Sequence, residues 1–152
     1  MSRKRPILSV ILPTYNESAN LPILLGNLKN TLGSISHEIL VVDDNSPDRT
    51  WEIAEDIAAK DDTIRVIRRV TDRGLSSAVV TGMEVAEGEI LAVMDADLQH
   101  DEALLPRMVK TLQEGFDLVV GSRAAESGSY GEWSRRRRFI SWVATVMARV
   151  FL

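Results

Sequence analysis

Glu89-Ile90-Leu91-Ala92-Val93-Met94-Asp95-Ala96-Asp97-Leu98-Gln99-His100 passes in twelve residues from a short apolar run to a cluster of acids and amides. Its first half is too short for a helix and is bounded by glycine and polar residues, as buried parallel strands are. Four other stretches read the same way: Ile7–Leu12, Glu38–Val42, Ile64–Ile67 and Phe116–Val120. Between the five predicted strands, apolar residues recur at helical spacing over Leu21–Leu32, Thr50–Ala59, Gly74–Ala86 and Ala103–Leu112. The alternation β-α-β-α-β-α-β-α-β predicts a doubly wound, mainly parallel α/β sheet, with any ligand beyond the carboxyl ends of its strands. The segments following those ends are Pro13-Thr14-Tyr15-Asn16-Glu17, Asp43-Asp44-Asn45-Ser46, Asp95-Ala96-Asp97 and Gly121-Ser122-Arg123.

Each of these segments carries chemistry and also has a plainer reading. Asp95 and Asp97, one residue apart at a strand end, can present oxygens to one hard cation while leaving positions open for phosphate oxygens. The same residues would also suit a solvated turn, or the cap of the helix expected near Asp101. His100 beside them can ligate or orient a carboxylate, or be an ordinary loop histidine. A carboxylate in Asp43-Asp44-Asn45-Ser46-Pro47-Asp48 can accept hydrogen bonds from ribose hydroxyls or a base N–H. Alternatively, Ser46 or Asp48 caps the next helix. Tyr15 can flank a nucleobase that Glu17 reads, and the plainer reading is a strand exit. Neither Gly-x-Gly-x-x-Gly nor Gly-x-x-x-x-Gly-Lys-Ser/Thr occurs, so phosphate charge is left to a metal. His37, Trp51 and Trp133 read as surface, packing or interface residues.

The chain has 152 residues, 45% of them apolar and 26% charged, and no cysteine, so a bound metal must use oxygen or imidazole ligands. No run reaches the roughly 18 apolar residues of a membrane-spanning helix, and the basic start is broken at Pro13, unlike a signal peptide. The net charge of −4 is uneven: from Trp133 onward there are five arginines and no acid, leaving residues 1–132 at −9. An acidic body argues against nucleic acid as a partner. Arg135-Arg136-Arg137-Arg138 leads into the apolar Phe139–Leu152, which suits an interfacial helix near anionic lipid, while a solvated basic segment is the plainer alternative. Ala124–Glu132, rich in glycine and serine, reads as a loop. The expected organisation is one domain over 1–132, then a basic and apolar helix over 133–152. Ending without a helix stop signal, the chain reads as a fragment.

Taken in order and spacing, Pro13–Glu17, Val41–Ser46, Arg73-Gly74-Leu75-Ser76-Ser77-Ala78, Asp95–His100 and Gly121-Ser122-Arg123 resemble the family-2 glycosyltransferases of the GT-A fold. Within them, the match is to the dolichol-phosphate mannosyltransferases and bacterial polyprenyl-phosphate relatives. The resemblance implies that Pro13, Tyr15, Glu17, Val42 and Asp44 hold base and ribose, with Asp95 and Ala96 also against the nucleotide sugar. It implies that Asp95 and Asp97, with Gln99 nearby, place Mg²⁺ or Mn²⁺ on the diphosphate, and that Arg73–Ala78 covers the donor with free backbone N–H groups. Asp97, Arg123 and Arg137 would be catalytic, the arginines meeting phosphate, which would make 1–132 the nucleotide-sugar-binding catalytic domain and 133–152 a helix on the acceptor side or at a membrane interface. The implied reaction is inverting transfer of a sugar, mannose above others, from a nucleoside-diphosphate sugar to a polyprenyl phosphate at the cytoplasmic face of a membrane. Two rivals remain open: transfer to a hydroxyl in cell-wall or polysaccharide synthesis, and a nucleotide-binding module without turnover.

Overall fold

The computed structural model describes residues 5–122, and those up to Val119 belong to one compact unit. Strand β1 (Leu8–Thr14) is followed by α1 (Leu21–Leu32), β2 (His37–Asp43), α2 (Thr50–Ala58), β3 (Ile64–Arg68), α3 (Leu75–Val85), β4 (Ile90–Val93), a 3₁₀ turn at Glu102–Leu104 and α4 (Leu105–Gln113). All strand pairs are parallel, in the order β3-β2-β1-β4. This is the doubly wound parallel sheet expected from the alternation.

Strand periodicity explains the layering, because successive side chains leave opposite faces of a sheet. Leu8, Val10 and Leu12 of β1 join Ile39 and Val41 of β2 in the larger core, beneath Leu21, Leu24, Leu25, Leu28 and Leu32 of α1. Ala54 of α2 and Leu105 and Val109 of α4 complete it. The intervening Ile11, Leu40 and Val42 face the other way, onto Ala78 of α3. Helix α3 sits close there because it carries Gly82, where an added Cβ would lie 2.5 Å from the Ile11 Cγ2. The helix starts follow their sequence: α1 has a proline in its first turn, where the missing N–H costs nothing.

At the amino edge, the α3 face of the sheet also buries polar groups. The Glu38 carboxylate accepts the Ser9 hydroxyl (2.6 Å), the Glu87 N–H (2.6 Å) and Arg65 (2.8 Å). Burial pushes its pKa up, but these donors outweigh it, and the group is held below the usual value.

Two expectations change. The predicted strand Phe116–Val120 does not form, since these residues pair with no strand, and Phe116, Leu118 and Val120 are exposed. A run with strand-like composition becomes a strand only where a neighbour takes its hydrogen bonds, and among the described residues β4 is left as an edge. The helix predicted at Ala103 begins as a 3₁₀ turn, with Pro106 placed in the first turn of α4. The predicted division after residue 132 lies outside the described residues. Among these, no helix is long and apolar enough to cross a membrane.

Candidate nucleotide and metal site

The sheet order reverses between β1 and β4, and the crevice at their carboxyl ends is where ligands bind in open α/β sheets. Two loops build one wall. Thr14 and Asp43 are register partners at the ends of β1 and β2, and Asp43 is fully buried. Its carboxylate accepts the Thr14 hydroxyl (2.9 Å), the Ser46 N–H (2.8 Å) and the Ser46 hydroxyl (2.7 Å). The first loop is then laced to the second by three backbone donors: the Asn16 N–H to Ser46 Oγ (3.0 Å), the Glu17 N–H to Thr50 Oγ1 (2.9 Å) and the Ser18 N–H to Asp48 Oδ2 (3.0 Å). Asp48 also accepts the Thr50 N–H and hydroxyl at the start of α2. Burial raises the Asp48 pKa, while the Thr50 and Ser18 donors lower it further, for a net depression. Asn16 and Asn45 take positive φ, 61° and 55°, which asparagine tolerates. The acidic segment after β2 is therefore mainly a clamp, with Asp43, Ser46, Asp48 and Thr50 shaping the Tyr15–Ser18 loop.

Asp44 faces a different partner. Arg69, the residue after β3 and only 8% exposed, donates from Nε to Asp44 Oδ1 at 2.7 Å. Its terminal nitrogens reach the Gly74 carbonyl (3.1 Å), Ser77 Oγ (3.1 Å) and Thr81 Oγ1 (3.3 Å). The Gly74 N–H closes the ring on Asp44 Oδ2 at 2.6 Å. Gly74 has φ 136°, a conformation that side chains other than hydrogen oppose. The resemblance implied free N–H groups over the donor; at Gly74 this is corrected, since Asp44 takes that N–H. A carboxylate has about four lone-pair sites, so Asp44 keeps acceptor capacity toward a cavity of about 350 Å³ bounded by Tyr15, Asp44, Arg73, Gly74 and Leu75. Arg69 was missed in the sequence, although an arginine directly after a buried strand, opposite a paired-acid segment, is a signal for it.

The other implied nucleotide contacts divide by burial. Pro13, Val42 and Ala96 have buried side chains, so only their backbone is available to a ligand. Tyr15 is exposed and borders the cavity. Glu17 bounds neither that cavity nor its neighbour, and its carboxylate accepts Asn20 Nδ2 at 2.7 Å, where α1 begins.

Beyond β4, buried Met94 and Ala96 act as pegs in the core and leave Asp95 and Asp97 partly exposed. Asp97 Oδ1 accepts the Gln99 N–H (3.0 Å), and Leu98 bends the chain with φ 60°. Gln99 is exposed. His100 Nε2 stands 3.6 Å from Asp95 Oδ2, beyond hydrogen-bond length. Asp101 caps the 3₁₀ turn by accepting the Ala103 N–H, so the capping role weighed for this region falls to it. Among the described residues, no three His, Asp or Glu side chains gather into a preformed cage. Two partly exposed carboxylates with open positions fit Mg²⁺ or Mn²⁺ completed by phosphate oxygens and water, as hard cations are held on nucleotides. Arg123 and Arg137 lie outside the described residues.

A family model described as glycosyl transferase family 2 matches residues 9–151. The dolichol-phosphate mannosyltransferase of Pyrococcus furiosus is 44% identical over 144 residues, covering 95% of this chain and 41% of the relative. The undecaprenyl-phosphate mannosyltransferase of Micrococcus luteus is 38% identical over 145 residues, covering 93% and 58%. Among solved structures, the mannosyltransferase PcManGT from Pyrobaculum calidifontis, in complex with GDP-Man and Mn²⁺, superposes with a TM-score of 0.62 at 31% identity. That match covers 72% of this chain and 33% of the neighbour. The chain thus spans between two-fifths and three-fifths of the length of these two relatives.

Proposed function

The chain belongs to glycosyl transferase family 2, and from that premise we propose that it supplies the donor site of an inverting transferase that moves mannose from GDP-mannose to a polyprenyl phosphate. The observation that carries the reading is the arrangement along one sheet edge. A nucleotide-sized cavity bounded by Tyr15 and Asp44 lies past β1 and β2, and the partly exposed pair Asp95 and Asp97 lies past the adjoining β4. The likeness to mannosyltransferases, one of them holding GDP-Man and Mn²⁺, supports the choice of sugar and donor.

In this reading Asp44 accepts from the nucleoside, Tyr15 lies along it, and Asp95 and Asp97 hold Mg²⁺ or Mn²⁺. The cation, when bound, offsets negative charge on the departing diphosphate. Inversion requires the acceptor oxygen to approach the anomeric carbon from the face opposite that diphosphate. A polyprenyl phosphate is already ionised near neutral pH and needs no strong base, so the chain must hold two anions close together. That task is given to Arg123 and Arg137, guanidinium groups suited to phosphate. The basic and apolar stretch 133–152 is proposed to meet the membrane surface that carries the lipid.

The test is calorimetric titration of the 152-residue chain with GDP and GDP-mannose, with and without Mn²⁺, beside Asp97→Asn. We expect metal-dependent binding that weakens at least tenfold in the variant. Binding of equal strength without metal, or none by a folded sample, would refute the donor-site assignment.

A further inference from the structure

Next to the Asp44 cavity lies a second one of about 450 Å³, which shares Tyr15 and Arg73 with it and is bounded beyond them by Asn45, Trp51 and Arg68. Arg68 ends β3, and its guanidinium carbon stands 3.6 Å from the centroid of the Trp51 ring. Its Nε donates to Asn45 Oδ1 at 2.7 Å. The side chain is exposed, yet a stack on one face and a hydrogen bond at one corner fix the plane of its fork. Among the described residues, its two terminal nitrogens make no hydrogen bond or ion pair, so a planar pair of donors borders an open cavity.

The position along the sheet says what this fork can meet. The strand order is β3-β2-β1-β4, with Asp95 and Asp97 beyond β4 and Arg68 at the end of β3. Three strand spacings separate these ends, roughly 14 Å. That is comparable to the reach of an extended nucleoside diphosphate from its phosphates to the far edge of its base. With the diphosphate at the carboxylate pair, the part that arrives at Arg68 is the base. Among nucleobases, guanine alone offers two adjacent acceptors, O6 and N7, to such a fork. Adenine pairs its N7 with an N6 donor that opposes arginine, and pyrimidines have no N7.

We propose that Arg68, held flat by Trp51 and Asn45, reads the O6/N7 edge of guanine and so sets the nucleotide specificity of the site. This rests on the donor-site reading above. Trp51 and Asn45 are then positioning residues.

The test compares GDP, UDP and 7-deaza-GDP, which lacks only the N7 acceptor, by calorimetry with Mn²⁺ on the unaltered chain and on Arg68→Met. A hydrogen bond to a charged group carries about a tenfold change in affinity or more, so GDP should exceed both competitors by at least that factor. In Arg68→Met, which has no donor, GDP and 7-deaza-GDP should bind within about twofold of each other. The analogue comparison needs no variant to fold. Equal binding of GDP and 7-deaza-GDP by the unaltered chain would overturn the proposal, as would a preference that survives in Arg68→Met. So would an equal loss for GDP and UDP, because that would place Arg68 on phosphate. If no nucleotide binds to the folded chain, the donor-site reading fails and this inference fails with it. Metal-dependent binding without guanine preference defeats the inference alone.

Discussion

At the residue scale, the acids of the candidate site differ in what they are already doing. Asp43 and Asp48 spend their oxygens on neighbouring hydroxyl and N–H groups, and Asp44 is bound to Arg69 yet borders a cavity. The sequence offers Asp43, Asp44 and Asp48 as near equals, because which carboxylate turns inward depends on strand register and on hydroxyl partners from another loop. Asp44, Asp95 and Asp97 were legible as site candidates, whereas Arg69 was not, since its meaning arises from a contact 25 positions away. That contact carries a prediction. Arg69 and Asp44 side chains are 8% and 10% exposed, and removing one member of such a pair strands the other charge. Arg69→Ala should therefore lower stability by about 3 kcal/mol, read as a lower urea midpoint at unchanged slope. It should also weaken GDP binding by releasing the Gly74 turn. A loss under about 1 kcal/mol would mean that the pair is screened like a surface pair.

At the element scale, close packing of α3 and β4 onto β1 depends on glycine. Gly88 precedes β4, and its N–H donates to Ser9 Oγ at 2.8 Å. An added Cβ would lie 2.6 Å from the Ser9 backbone nitrogen, and backbone in mid-sheet cannot step aside. Gly88→Ala should destabilise the chain by about 1–3 kcal/mol in urea unfolding, and a neutral result would show that the β1 and β4 pairing can shift. The alternating apolar runs made β1 to β4 and all four helices legible, with boundaries within a few residues. Phe116–Val120 shows where such reading stops: its composition matches the true strands, but strand formation is a property of pairs. The 3₁₀ entry to α4 also escaped, because Pro106 stands inside the stretch that helical spacing alone had marked as uniform.

At the scale of the whole molecule, two effects together limit stability in acid. The chain carries −4 at neutral pH and its charge passes through zero near pH 5.2, so below that point further protonation adds positive charge and builds repulsion. In addition, Glu38 at the amino edge, Asp48 in the loop clamp and Asp61 before β3 all have depressed pKa values. Asp61 is lowered from 3.8 to about 2, chiefly by the hydrogen bond from Lys29 at 2.7 Å and then by Thr63. A carboxylate whose folded pKa lies below its unfolded value stabilises the fold above the unfolded value, and that contribution is lost as pH falls through the folded one. The window here runs from about pH 4 down to about 2, where growing positive charge and loss of bound carboxylates both act against the fold. The two can be separated by one substitution. Asp61→Asn should be less stable than the parent at neutral pH, and the gap, read by urea unfolding at stepped pH, should close toward pH 2 as the parent's own Asp61 becomes protonated. The growing positive charge is nearly common to both chains and largely drops out of the difference. A gap that stays constant through this window would mean that Lys29 and Thr63 give Asp61 no charge-dependent hold. The acid limit would then rest on Glu38 and Asp48, the latter in the loop that shapes the candidate site.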